Sequence, residues 1–141
     1  MPIANYQASA YKQTRVKTAG PGQLVVMLYD EAIRQLEAAA ELLEKNTKQL
    51  DQVNNAILKT RDIITELMVS LDMENGGDFA QTMFSLYLWF NEQLLEANLK
   101  KESRSVRIIA QQLTQIRDAW SQIAGTTNVQ PQERSGVNIA G

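Results

Sequence analysis

The chain has no cysteine and no histidine. Composition alone therefore excludes disulfides, thiol nucleophiles, thiolate or imidazole zinc sites and histidine-based triads. General acid–base chemistry near neutrality loses its usual carrier as well. Proline and glycine are sparse, at 3 and 7 of 141 residues, so collagenous and low-complexity classes drop out. No run of 18 apolar residues occurs, and no transmembrane helix is expected. Met1-Pro2-Ile3-Ala4-Asn5 lacks the charged region and apolar stretch of a secretory signal, so nothing argues for export by the general route.

What is present is ordinary for one globular domain: 15.8 kDa, 44% hydrophobic and 21% charged residues. The net charge of -2 carries no global nucleic-acid signature. Its distribution says more. Residues 1–20 hold Lys12, Arg15 and Lys17 and no acid, whereas residues 21–45 hold Asp30, Glu31, Glu37, Glu41 and Glu44 against Arg34 and Lys45. A short basic arm thus precedes an acidic helix, and folding back on the body would gain modest, salt-screened attraction.

Four segments show helical periodicity. The first runs from about Pro21 to Lys45, with Pro21 suited to a first turn and Thr18 a candidate cap. Leu24 to Tyr29 are consecutively apolar, too broad a face for one neighbour to cover. The second segment, about Thr47 to Leu71, carries Leu50, Val53, Ile57, Ile64, Leu67, Met68 and Leu71 on one stripe, and Asn75-Gly76-Gly77 breaks the pattern. The third starts near Asp78, a plausible cap, and ends near Lys100. It carries Phe79, Met83, Leu86, Tyr87, Phe90, Leu94 and Ala97 at spacings of three and four, with Phe84, Leu88, Leu95 and Leu99 beside them. This helix is apolar over most of its girth, which places it at the centre. The fourth, about Ser103 to Ala124, repeats Val106, Ile109, Leu113, Ile116, Trp120 and Ile123 in a bundle-seam rhythm, with Gly125 as its expected stop. Short linkers make neighbours antiparallel. The expected fold is all-α: an antiparallel up-down four-helix bundle over 19–125, with an N-terminal cap arm over 1–18 and a disordered C-terminal tail over 126–141.

The chemistry-bearing residue types favour binding over catalysis. Bundle metal sites need Glu-x-x-His pairs, and the acids here sit mostly off the apolar stripes. No phosphate-binding loop follows a strand. Neither a catalytic residue nor a metal or other cofactor is expected. The basic cluster of Lys100, Lys101, Arg104, Arg107 and Arg117 is offset by Glu102 and Asp118 and reads as a solvated face rather than a nucleic-acid surface. The arm is too polar for strong membrane insertion. An apolar groove remains, on which Tyr6 and Tyr11 could rest until another peptide takes their place. From pattern alone, surplus core or a weak homodimer contact accounts for the apolar excess equally well, and a helical adaptor for a different amphipathic partner is the alternative function.

Tyr11-Lys12-Gln13-Thr14-Arg15-Val16-Lys17-Thr18-Ala19-Gly20-Pro21-Gly22-Gln23-Leu24, followed by Met27-Leu28-Tyr29-Asp30, resembles the opening signature of the FliS family of flagellin export chaperones. Gln23 stands where the family more often has Glu. Glu96-Ala97-Asn98 and Arg117-Asp118-Ala119-Trp120 extend the resemblance over about residues 6–122. It implies a cytoplasmic, non-enzymatic type III secretion chaperone. Such a chaperone binds the disordered C-terminal segment of flagellin, prevents premature polymerisation and docks on the cytoplasmic domain of the export-gate component FlhA. It also implies an N-terminal arm that caps part of the binding surface. On that basis Tyr11 is the expected cap anchor, with Leu24, Met27, Leu28 and Tyr29 lining or supporting the groove. Leu86, Tyr87 and Phe90 join them because of the apolar excess of the third helix.

Overall fold

The computed structural model describes residues 21–129, with side chains described over 22–124. The expected arm, with Tyr11 and the Thr18 cap, lies outside the described residues, as do residues 130–141 of the expected tail. Four helices follow one another: α1 (Pro21–Glu44), α2 (Leu50–Val69), α3 (Gly77–Lys100) and α4 (Ser103–Val129). They form an up-down bundle in which α1 packs on α4 and α2, and α3 packs on α2. The α3–α4 pair is the slackest of the four seams.

The local causes are legible. Asn46 closes α1 in the left-handed region, and Lys101 does the same for α3, where its N–H bonds Ala97 O at 2.8 Å. Only Lys101 and Glu102 separate α3 from α4, which forces the two antiparallel. Between α2 and α3, the Asp72 carboxylate accepts Asn75 N–H at 3.1 Å and Gly77 adopts φ +57. Asp78 does not cap α3: no side chain does, and Asp78 lies instead in the first turn, where a carboxylate still suits the helix dipole. The last helix runs through Gly125 to Val129, past the expected stop. Glycine inside a helix costs only about 1 kcal/mol. The preceding turn is held against the start of α1: a Cβ added at Gly22 would sit 3.2 Å from Ala124.

The core is continuous along the bundle. Alanines 32, 39 and 40 of α1 and 110 and 124 of α4 are buried, and their small side chains let the backbones of α1 and its neighbours come close. The broad apolar start of α1 is absorbed in this way: Leu28 and Tyr29 are buried, while Val25 and Val26 pack against the core. One polar brace crosses the interior. The hydroxyls of Tyr29 and Tyr87 lie 2.8 Å apart and join α1 to α3 across the diagonal. Burial pushes both phenols up, Tyr87 to about 12 and Tyr29 further still.

Candidate functional site: the groove between α3 and α4

Two connections between α3 and α4 lie toward their ends. The short Lys101–Glu102 connection closes one end. At the other, the rings of Phe79 and Trp120 meet edge to face with centroids 6.2 Å apart. Between these connections the helices leave a groove of about 300 Å³, lined by Trp89, Gln93, Glu96, Ala97 and Lys100 of α3 and Ser105, Ile108, Ile109 and Gln112 of α4.

The spacing explains the composition. Leu86, Trp89, Gln93, Glu96 and Lys100 recur at three and four along one face of α3, and Ser105, Ile108 and Gln112 do so on α4. Trp89 and Ile108 remain 41% and 43% exposed, large apolar side chains with no neighbour to finish covering them. Lys100 and Glu96 pair at 3.4 Å on the rim. Gln112 Oε1 is buried without a hydrogen-bond partner among the described residues, an acceptor that a donor on a bound chain could complete. The groove can take up apolar side chains from a turn or two of an amphipathic helix and offer one polar contact.

The expected site residues fall in three places. Leu28, Tyr29, Tyr87 and Phe90 are in the core, where they support the bundle from within. Leu24 and Met27 are half-buried on α1, diagonal to α3, and do not line the groove. Leu86 is half-buried on the α3 face that continues to Trp89. Trp89, Gln93, Ile108 and Gln112 were not anticipated. The available signal was Ile108, a large apolar residue one step off the regular α4 stripe through Ile109, and Trp89, which belongs to neither apolar stripe of α3.

The basic cluster around α4 is largely consumed internally. Arg107 donates twice to the Glu44 carboxylate, at 2.9 Å each, which holds Glu44 below the usual carboxylate range. Arg117 pairs with Asp30 at 3.4 Å, and Lys101 Nζ donates to Asn98 O at 2.8 Å. Among the described residues no acidic group is arranged to hold a metal ion, and no helix is long and apolar enough to cross a membrane.

Comparison with known proteins gives this bundle relatives. The family model described as "Flagellar protein FliS" matches residues 3–127. The flagellar secretion chaperone FliS of Bacillus subtilis is 30% identical over 114 residues, covering 81% of this chain and 83% of the relative. The Salmonella typhimurium chaperone of the same name is 32% identical over 119 residues, covering 84% and 87%. That of Escherichia coli is 32% identical over 111 residues, covering 78% and 80%. With the family model spanning nearly the whole four-helix body, the chain belongs to the FliS family of flagellar secretion chaperones, which act in flagellar export by binding rather than by catalysis.

Proposed function

We propose that this chaperone acts in the cytoplasm on flagellin, binding its disordered C-terminal segment through the α3–α4 groove. The observation that carries the reading is the slack seam itself: a family member whose third helix presents Trp89 to an unfilled groove. A flagellin end that is amphipathic when helical fits a groove walled by Trp89, Ile108 and Ile109. Covering that end blocks subunit–subunit packing and leaves the monomer competent for export. Ordering a flexible segment offsets roughly 2–5 kcal/mol of the interaction, which keeps the complex releasable.

Tyr11 is assigned as the anchor of an N-terminal cap, and Leu24, Met27, Leu28 and Tyr29 as the scaffold that positions the bundle's binding surface. The loaded complex is assigned to the cytoplasmic domain of FlhA. The test is calorimetric titration of the full chain with about 40 residues from the flagellin C-terminus, enough chain to bury on the order of 1,000 Å² or more. Saturable micromolar binding that weakens in Trp89→Ala and Ile108→Ser is expected; absence of saturable binding contradicts the reading. Removal of residues 1–17 is expected to speed capture, and unchanged kinetics would remove the cap while leaving the chaperone role.

A further inference from the structure

The connection between α2 and α3 carries a chemistry that peptide binding does not use and that is independent of the flagellin assignment. Asn75 is followed by Gly76, and no other asparagine of the chain precedes a glycine. Glycine has no Cβ to keep its backbone nitrogen away from the preceding carboxamide, so this pairing is open to self-modification. Met73, Glu74 and Asn75 are exposed, which gives water free access. Asn91 and Asn98, by contrast, lie inside α3 and precede Glu92 and Leu99.

The reaction balances with water alone. The Gly76 nitrogen gives up its proton and attacks Asn75 Cγ. The Cγ–Nδ2 bond breaks, and ammonia leaves with that proton. Water then opens the cyclic imide at either carbonyl and leaves aspartate or isoaspartate at position 75.

The folded turn restrains this reaction. Asp72 Oδ2 accepts Asn75 Nδ2 at 3.0 Å, and Asp72 Oδ1 accepts the Asn75 backbone N–H at 3.1 Å. The attacking group is engaged as well, since Gly76 N–H donates to Asp72 O at 2.8 Å. Bringing Asn75 Cγ onto the Gly76 nitrogen therefore costs both the carboxamide bond and the backbone bond to residue 72. The bonds from Asn75 hold the Asp72 carboxyl below the usual carboxylate range, so it stays ionised wherever an amide can lose a proton. Glu74 and Asp78 are exposed on either side and oppose an amide anion by their charge.

We infer that Asn75–Gly76 is a deamidation site, that Asp72 restrains it in the folded chain, and that conversion releases the α2–α3 turn. An aspartate at 75 sets an acceptor where Nδ2 now donates, 3.0 Å from a second carboxylate. Isoaspartate also adds a methylene to the backbone. Phe79, just inside α3, meets Trp120 of α4, so a released turn is felt at the start of the helix that walls the groove.

The test holds the full chain in warm, mildly alkaline buffer and follows the tryptic fragment 62–100 by mass spectrometry. Labelling with isoaspartyl methyltransferase detects the rearranged product. Asp72→Ala is expected to convert residue 75 about 10-fold faster than the unsubstituted chain, with an unchanged circular dichroism spectrum. Asp72→Asn, which keeps one acceptor, falls between them. In urea all three chains convert at one fast rate, which places the restraint in the folded turn. Gly76→Ala, which fits φ -81, suppresses conversion in both states. Asn75→Asp lowers the melting temperature by about 2–4 °C. Equal rates for folded Asp72→Ala and the unsubstituted chain overturn the restraint. Conversion at Asn91 and Asn98 as fast as at Asn75 overturns the site. An unchanged melting temperature for Asn75→Asp overturns the release of the turn.

Discussion

Helix α4 has two long seams, and they are built differently. Against α1 it packs tightly, with alanines buried on both helices and ion pairs along the outside, Arg107 on Glu44 and Arg117 on Asp30. Against α3 it packs more loosely and leaves Trp89 and Ile108 partly exposed beside the groove. The lesson is one of side-chain size. Alanines bring two backbones together and exclude a guest. Bulky groups on a loosely packed pair of helices leave a slot between them. On the proposed function, stability belongs to the first seam and binding to the second.

Substitutions should separate the two. Leu113, fully buried on α4, serves the core; Leu113→Ala is expected to lower unfolding free energy by about 2–5 kcal/mol in urea melts. Comparable in size by pH 12 is the alkaline loss of stability. Because burial raises both phenols above their unfolded value, the folded state keeps protons that the unfolded chain gives up above about pH 10. Stability is therefore full below pH 10 and falls as pH rises toward 12, by about 1.4 kcal/mol per pH unit for each phenol. Absorbance at 295 nm should show two of the 4 tyrosines ionising only with unfolding, and normal titration of all four would refute the brace. Trp89→Ala comes third: under about 1 kcal/mol in stability, since the ring is 41% exposed, but about 10-fold or more in affinity for the flagellin peptide. A stability loss as large as that of Leu113→Ala would erase the distinction between the seams. The smallest effect is expected from Glu44→Ala, a slight, salt-dependent fall in melting temperature, because the pair with Arg107 lies in solvent.

The fold was legible because the hydrophobic rhythm is strong. Val106, Ile109, Leu113 and Trp120 repeat on α4 and are buried, and Met83, Tyr87, Phe90, Leu94 and Ala97 do so on α3. The apolar excess of α3 was legible too, since Leu88, Leu95 and Leu99 have no room in the core. Its placement was not. Periodicity tells which residues share a face but not how far apart two helices stand, and the groove is a matter of that distance. Hence Tyr87 and Phe90, which look like surplus in one dimension, fill the interior, while Trp89 between them faces the gap. The helix end at Gly125 was missed because glycine signals only a local preference, and packing of the neighbouring turn against Gly22 outweighs it.

Hydrogen–deuterium exchange of the full chain with and without the flagellin C-terminal peptide tests the central claim most directly. The account predicts slowed exchange over residues 86–100 of α3 and 105–112 of α4, with the α1–α4 seam at residues 30–44 unchanged. Protection confined to α1 and α2, with residues 86–112 exchanging as in the free chain, would contradict it.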